Sequence, residues 1–187
     1  MHKIAIISSS VRIDRLSHRV ALFFQSFITE NAIGTVELLD LKQYNFPIFE
    51  ERLSALKNPA PEVLDFAAKV IGSDGIIIVT PEYNGGYPAS LKNAIDLLYL
   101  EWKRKPVALA TVSNGPFAGA QVNTALAFTL WKIGALLVPA TYQVPKVQDA
   151  YDEAGNPADK AMASKLAKSY FNELSWCMEA TKTMKVT

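Results

Sequence analysis

The sequence predicts an α/β protein with a doubly wound, five-stranded parallel sheet and helices on both faces. Three observations predict this fold class. Short apolar segments rich in β-branched residues alternate five times with longer segments of helical periodicity. The third apolar segment, residues 75–79, is continuous, as expected for a central strand buried on both faces. Prolines and glycines separate the segments, without an internal repeat or a low-complexity tract.

The elements follow in order along the chain. The predicted strands cover residues 3–7, 36–41, 75–79, 107–112 and 136–141. The predicted helices cover residues 17–28, 62–71, 88–105, 121–133 and 159–178. The third helix is expected to end in the basic run 103–105, because positive charge suits a helix C-terminus and Pro106 prevents continuation. Pro139 cannot donate to a ladder, which places the fifth strand near an edge.

Apolar residues at helical spacing predict the faces that three helices turn towards the core. For the first helix they are Val20, Phe23, Phe24 and Phe27. For the second they are Val63, Ala67, Val70 and Ile71. For the third they are Leu91, Ala94, Ile95, Leu98 and Trp102.

Few topologies remain once crossovers are required to be right-handed. We predict a single domain over residues 1–187 with the flavodoxin-like strand order 2-1-3-4-5. The switch point of that order lies between strands one and three, where FMN binds in folds of this type. The loops after strands one, three and four would line this crevice.

Composition excludes several classes of function. The chain has 187 residues and a net charge of +1, so no strong field draws it to nucleic acid. No apolar run reaches the roughly 18 residues of a membrane span, and the apolar run at the N-terminus is too short for a signal peptide. The one cysteine, Cys177, forms no disulfide within one chain, and a cytoplasmic location is expected. Cys177 is predicted to be a small core residue.

The loop after strand three, residues 80–88, carries two glycines, two prolines and two tyrosines. It joins a buried strand to a helix at the edge of the sheet where ligands bind in such folds. A rigid loop with free backbone N–H groups and aromatic faces suits a flat heterocycle. The alternative is an ordinary strand-to-helix turn, which a bare glycine-proline turn would indicate.

The loop after strand one, residues 8–18, leads into a helix N-terminus, where amide groups and the helix dipole favour an anion. Ser10 and Ser17 offer hydroxyls, and Arg12 or Arg15 offers a guanidinium to phosphate oxygens. The loop is neither a dinucleotide fingerprint nor a P-loop, so it fits a single terminal phosphate. Serine capping of the helix beside solvated arginines is the alternative.

The loop after strand four, residues 113–119, contains two glycines that allow a close approach of backbone to a ring, and Phe117 could shield the site. A plain connection is the alternative. Neither His2 nor His18 has a second histidine at metal-ligand spacing, so no metal site is predicted. No serine-hydrolase elbow occurs, and the carboxylates Glu50, Glu51 and Glu82 are interpreted as solvated or structural.

The three loops together resemble those of the NAD(P)H-dependent FMN reductases, a flavodoxin-like family of quinone, azo-dye and chromate reductases. The run from Pro81 through Asp96 matches the family pattern P-E-Y-N-[GY]-[SG]-x-P-x-x-L-K-N-A-I-D almost without departure. Residues 9–12 resemble G-S-x-R, residues 113–119 resemble S-x-G-x-x-G-G, and residues 46–51 resemble the loop after strand two. The resemblance covers roughly residues 3 to 140. Ser9 and Ala118 replace family glycines.

The resemblance implies FMN as cofactor, NADPH or NADH as co-substrate and a small-molecule electron acceptor. The implied reaction is ping-pong: nicotinamide gives hydride to flavin N5, and a quinone, azo compound, metal oxyanion or free flavin is then reduced. The cofactor carries the chemistry, so no catalytic side chain is predicted. The resemblance assigns the phosphate to Ser10, Arg12, Ser17 and His18. It assigns the ring to Pro81, Glu82, Tyr83, Asn84, Gly85, Ser113 and Gly115.

Two further hypotheses belong to other classes. A flavodoxin-like electron carrier would bind FMN without accepting hydride from a nicotinamide, and a degenerate regulatory protein would keep only the fold. The near-neutral charge argues against the electron carrier, and the intact residues 81–84 argue against the degenerate regulatory protein. Leu97, Tyr99 and Leu100 lie off the core-facing stripe of the third helix, which predicts a homodimer or homotetramer. Residues 44–49 and Tyr87 could then complete the site of a neighbour.

Overall fold

A computed structural model describes residues 1–184; residues 185–187, the end of the predicted domain, lie outside the described part. The five strands are β1 (His2–Ser8), β2 (Gly34–Asp40), β3 (Gly75–Pro81), β4 (Pro106–Val112) and β5 (Leu136–Val144). The helices are α1 (Ser17–Glu30), α2 (Leu41–Tyr44), α3 (Pro61–Gly72), α4 (Ala89–Leu97), α5 (Ala120–Lys132), α6 (Val147–Ala150) and α7 (Lys160–Met184). Short 3₁₀ turns occur at Leu53–Ala55 and Leu100–Trp102.

All strands of the sheet are parallel, in the order β2-β1-β3-β4-β5, so the predicted order is confirmed. β1 pairs on one side with β2, Ile4 opposite Val36, and on the other with β3, Ile4 opposite Gly75. The switch point therefore lies between β1 and β3, as predicted. β5 is at an edge, as Pro139 indicated, and a register shift interrupts its pairing with β4.

The core forms one layer on each face of the sheet. Because side chains alternate along a strand, Ile4 and Ile6 belong to the layer under α1 and α7. Ala5 and Ile7 belong to the layer under α3, α4 and α5. Phe24 and Phe171 are fully buried in the first layer, and Phe66 and Trp102 in the second. The predicted core faces of the first and third helices are confirmed.

The predicted end of the third helix is wrong. α4 ends at Leu97, Leu98 is extended, and a 3₁₀ turn at Leu100–Trp102 follows. Leu98 and Trp102 are still buried. The extended residue and the 3₁₀ turn after α4 place these two apolar side chains in the core, as the predicted continuous helix would have done. Leu97 is also buried, so it does not belong to an exposed face, whereas Tyr99 and Leu100 are exposed. Pro88 is the N-cap residue rather than a residue of the first turn.

The side chain of Lys105 caps the C-terminus of α3 and not that of the predicted third helix. Its side chain is buried, and its ammonium donates to the carbonyl oxygens of Ile71, 3.0 Å away, and Ser73 at the end of α3. These carbonyls have no partner within the helix, so the ammonium supplies one. Ile71 was predicted to face the core and is 59% exposed, because Val63, Phe66, Ala67 and Val70 already fill the buried stripe.

The remaining differences concern boundaries and small elements. β2 ends at Asp40, and α2 and α6 are single turns that the apolar pattern did not indicate. Cys177 is half-buried beside the core layer under α7, and burial raises the pKa of its thiol. Within residues 1–184, no helix is both long and apolar enough for a bilayer crossing.

Candidate functional site

The loops that follow β1, β3 and β4 enclose one cavity of about 370 Å³ at the carboxyl ends of the strands. This volume lies within the range of roughly 300–1,000 Å³ typical of small-molecule sites. The predicted site residues that line it are Ser10, Arg12, Ser17, Pro81, Glu82, Tyr83, Ser113 and Gly115. His18, Asn84 and Gly85 lie on the same loops but do not line the cavity. Arg15, Asn114 and Phe117 also line it.

The N-terminus of α1 opens into this cavity without a side-chain cap. Leu16, the N-cap residue, offers no acceptor, and Ser17 follows at the first helical position. The Ser17 side chain is buried, and its Oγ has no hydrogen-bond partner among the residues that the structure describes. Helix N-termini attract anions through their free amides and dipole. The structure thus favours an anion site over the capping alternative.

The hydroxyls of Ser10 and Tyr83 are 2.8 Å apart and hydrogen-bond each other across the cavity. This contact joins the loop after β1 to the loop after β3. The guanidinium of Arg12 lies 5.8 Å from the centroid of the Tyr83 ring, within cation–π range. Arg12 itself is exposed. The geometry therefore leaves the guanidinium of Arg12 accessible at the rim of the cavity.

Arg15 is committed to a protein carboxylate. Its guanidinium donates to both oxygens of Asp40 and, over 2.9 Å, to the carbonyl oxygen of Ser10. Burial alone would raise the pKa of Asp40, but hydrogen bonds from Arg15 and the Lys42 amide outweigh it and lower the pKa. The pair was not predicted, because Asp40 at the end of β2 lies 25 positions from Arg15 in the sequence. Arg12 is the arginine of this loop that remains available at the cavity.

His18 faces the protein rather than the cavity. Its Nδ1 lies 3.0 Å from the hydroxyl of Ser8, the last residue of β1. Burial, and then the positive charge of Arg15, lower the pKa of His18. Ser9 is fully buried, and its Oγ has no hydrogen-bond partner within residues 1–184. The serine that replaces the family glycine therefore adds a buried hydroxyl and no lining to the cavity.

Residues 83–86 form a tight hairpin turn. The amide of Tyr83 donates to the carbonyl of Gly86 over 2.8 Å, and the amide of Gly86 donates back over 3.0 Å. Asn84 and Gly85 have φ values of 54° and 78°, as type I′ turns require at both central positions. Among the described residues, the amides of Asn84 and Gly85 donate to no protein acceptor. The turn thus presents two rigid N–H donors.

The carboxylate of Glu82 caps another helix. It accepts hydrogen bonds from the amides of Gln121 and Val122, 3.0 and 3.1 Å away, at the start of α5. The N-cap residue of α5, Gly119, has no side chain for this task. A Cβ at Gly85 would lie 2.8 Å from Oε1 of Gln121, so the turn packs closely on α5. The interpretation of Glu82 as structural agrees with these contacts.

The loop after β4 is held at both ends. The amide of Val147 donates to the carbonyl of Ser113, and the Ser113 hydroxyl donates to the carbonyl of Gly115 over 2.9 Å. Thr111 Oγ1 donates to the carbonyl of Ala118 over 2.6 Å. Ala118, which replaces a family glycine, has a φ of 52° and thus a left-handed backbone. The alanine therefore keeps the backbone shape that a glycine would adopt without strain.

Residues 44–49, which are rich in aromatic side chains and precede α3, are held against α4 and do not line the cavity. The side chain of Asn93 accepts from the amide of Phe49 over 2.6 Å and donates to the carbonyl of Pro47 over 2.8 Å. The hydroxyl of Tyr87 hydrogen-bonds Thr129 of α5 over 2.7 Å. Among residues 1–184, no three His, Cys, Asp or Glu side chains are grouped as ligands for a metal ion.

Comparison with known proteins identifies the family. The sequence model that describes the family of NADPH-dependent FMN reductases matches residues 2–149 of this chain. The chain belongs to this family. The chain is 34% identical over 137 residues to the NAD(P)H-dependent FMN reductase LOT6 of Saccharomyces cerevisiae, with 66% of this chain and 71% of that protein aligned. It is 27% identical over 168 residues to a quinone reductase of Pseudomonas putida, with 86% and 87% covered.

The solved structures agree. The solved structure of FerB, the flavoenzyme NAD(P)H:(acceptor) oxidoreductase of Paracoccus denitrificans, superposes on this chain with a TM-score of 0.78 at 26% identity. The superposition covers 96% of this chain and 98% of FerB. The predicted family and flavodoxin-like fold are therefore confirmed, and the protein is an oxidoreductase that uses FMN and NADPH or NADH. Of the predicted classes, the reductase agrees with these relatives, and the electron carrier does not.

Proposed function

We propose that the cavity between the loops after β1, β3 and β4 is the FMN site. The observation that carries this proposal is the buried hydroxyl of Ser17, which has no hydrogen-bond partner within residues 1–184 and lies at an uncapped helix N-terminus inside the cavity. A buried hydroxyl without a partner is costly, and a phosphate oxygen would accept its hydrogen bond. Amides of the first turn of α1 and the guanidinium of Arg12 complete a donor set suited to a phosphate.

The ring of FMN would lie at the other end of the same cavity. Pro81, Tyr83, Ser113 and Gly115 line the cavity beside the phosphate loop, and the amides of Asn84 and Gly85, which donate to no acceptor within residues 1–184, lie on the same loop as Tyr83. Backbone donors on a turn with fixed φ values suit the carbonyl and nitrogen acceptors of a heterocycle. When bound, FMN supplies the acceptance of hydride from NADPH or NADH and the reduction of an acceptor. The residues bind and orient it.

Three contacts hold the loops around the cavity in place. The hydrogen bond between the hydroxyls of Ser10 and Tyr83 fixes the loops after β1 and β3 relative to each other. The Arg15–Asp40 pair holds the carbonyl of Ser10 and so the start of the phosphate loop. Glu82 fixes the turn on α5. Such preorganisation lowers the entropy that binding costs.

The acceptor is proposed to be a small molecule, with quinones first among the candidates because several relatives are named quinone reductases. An azo compound, a metal oxyanion or a free flavin would be reduced by the same route. A cytoplasmic location is proposed for this activity. We further propose a homodimer or homotetramer, in which the exposed Tyr99 and Leu100 are covered by a second copy. A monomeric mass in light scattering at micromolar concentration would exclude it.

An absorbance spectrum of the purified protein tests the proposal. Flavin bands, present on purification or after addition of FMN, should bleach on anaerobic addition of NADPH or NADH. The variant Ser17→Ala should bind FMN more weakly, and Ser26→Ala, on the exposed side of α1, should not. If Ser17→Ala and the wild type bound FMN equally, the phosphate would lie elsewhere.

A further inference from the structure

Phe117 lines the cavity and is nevertheless 81% exposed. In contrast, Phe24 and Phe66 are fully buried in the core. Transfer of a phenylalanine side chain from water to an apolar environment is favourable. The exposed ring therefore stands at the mouth of the cavity as apolar surface that a ligand would cover.

The position of Phe117 is fixed by its neighbours on both sides. The carbonyl of Phe117 accepts from the amide of Ala120 at the start of α5 over 3.1 Å. The carbonyl of Ala118 accepts from the buried hydroxyl of Thr111. Before it, Gly115 accepts from both Ser113 and the amide of Lys146. The ring is thus carried on an anchored backbone.

The backbone at Ala118 adds an independent observation. An alanine with a φ of 52° is in the left-handed region, which is strained for a residue with a Cβ. Such strain persists only where surrounding contacts impose it, and it is typical of ligand sites. The hydrogen bond from Thr111 and the burial of Ala118 are those contacts. They set the direction in which the chain leaves Phe117.

We propose that Phe117 is the stacking surface for the planar ring of the substrate that enters this cavity after FMN. Aromatic rings attract each other in offset and edge-to-face arrangements beyond their buried area. Phe117 would therefore favour planar, electron-poor rings, either a quinone or a nicotinamide, over compact inorganic acceptors. This inference rests on the proposed FMN site.

Binding is measured first, with the FMN-loaded, oxidised protein. Menadione and NADP⁺ are both oxidised, so neither exchanges electrons with the oxidised protein, and calorimetry reports their dissociation constants directly. Phe117→Ala should weaken one or both by about tenfold, equivalent to about 1.4 kcal/mol. Loss for menadione alone assigns the stack to the acceptor, and loss for NADP⁺ alone assigns it to the nicotinamide. Phe117→Tyr should restore binding.

A second readout compares two acceptors in turnover. If the stack holds the acceptor, kcat/KM of Phe117→Ala should fall about tenfold more for menadione than for ferricyanide, an acceptor without an aromatic ring. Trp176→Ala removes an aromatic residue that is 70% exposed on α7, outside the cavity, and serves as the matched control.

Two different failures can be told apart. If the wild type bound no FMN, or bound it without reduction by either nucleotide, the proposed function would fail. If the wild type turned over while Phe117→Ala bound both oxidised ligands as tightly as the wild type, only the role of Phe117 would be overturned. An equal fall for menadione and ferricyanide, without weaker binding, would overturn it as well.

Discussion

The guanidinium of Arg15, in the loop after β1, donates to both carboxylate oxygens of Asp40, the last residue of β2. The side chains are only 12% and 3% exposed. A buried pair of this kind is not strong evidence of stability in itself, but removal of one partner leaves the other charge uncompensated. The pair also holds the carbonyl of Ser10, so it couples the sheet edge to the phosphate loop.

Asp40→Ala should therefore lower the free energy of unfolding by about 3 kcal/mol, the lower end of the range for a broken buried pair, because the cavity lets water reach Arg15. Urea denaturation measures the change. Asp96→Ala, which removes the carboxylate of the exposed Lys92–Asp96 pair on α4, should cost less than about 1 kcal/mol. Equal losses in the two variants would contradict the structural role of the buried pair.

Ser17→Ala should act in opposite directions on stability and on ligand affinity. In the FMN-free protein it removes a buried hydroxyl without a partner, so the melting temperature should stay the same or rise. FMN affinity should fall about tenfold, since a hydrogen bond to a charged group contributes about 1.5 kcal/mol or more. Thermal denaturation and flavin fluorescence titration measure the two effects. A fall in stability without FMN would show that the hydroxyl has a partner within the protein.

Glu82→Ala should loosen the β3–α4 turn from α5. The substitution removes the acceptor of two amides at the start of α5 and a negative charge from its N-terminus. A loss of about 1–2 kcal/mol in the free energy of unfolding is expected. FMN affinity should fall too, because the turn carries the free amides of Asn84 and Gly85. Glu153→Ala, at a side chain that is 94% exposed, is the control and should change neither quantity.

Acidification should destabilise the FMN-free protein through His18. Burial and the charge of Arg15 hold its pKa below the ordinary value of 6.5, so the unfolded chain binds this proton more readily than the folded protein. The stability that depends on neutral His18 should be fully present above about pH 6.5. It should decrease as the pH falls towards the pKa of His18 in the folded protein. His18→Gln should flatten the dependence of stability on pH below about pH 6.5. The lowered pKa of Asp40 acts in a more acidic window, as the carboxylate is protonated. An unchanged slope in His18→Gln would assign the effect to other groups.

Ala32→Gly should stabilise the fold. Ala32 follows α1 with a φ of 53°. The amide of Ala32 donates a hydrogen bond to the carbonyl of Thr29, and the amide of Ile33 donates one to the carbonyl of Ile28. These two hydrogen bonds form a Schellman motif, in which glycine is preferred at the position of Ala32. The gain should be about 1 kcal/mol, or roughly 2–4 °C in melting temperature. Ala68→Gly, an exposed position within α3, should cost about 1 kcal/mol. The same substitution thus tests both backbone conformations, and a loss in Ala32→Gly would contradict the strain argument.

The sequence predicted the fold well where periodicity is strong. Five strands, their order, and the buried faces of α1 and α4 follow from apolar spacing and crossover handedness. It failed at Leu97, where α4 ends, because residues beyond a helix can keep its apolar spacing in another conformation. The resemblance to the reductase family supplied the rest of the functional prediction.

The loops that enclose the cavity were predictable, but their contacts were not, and His18, Asn84 and Gly85 of the predicted site residues do not line the cavity. The loops after β1, β3 and β4 were expected to meet because parallel strands share one carboxyl edge. Which arginine is free was not predictable, because Asp40 lies 25 positions from Arg15 and only the folded sheet brings them together. The capping of α5 by Glu82 spans 39 positions and carries no local signal either.

Lys105 has a consequence for the order in which the chain acquires its structure. The ammonium that caps α3 belongs to a residue 34 positions after Ile71. During synthesis, the last carbonyls of α3 lack this ammonium until the chain has extended to the start of β4. The cap on α3 therefore depends on a segment that is made only after β3 and α4.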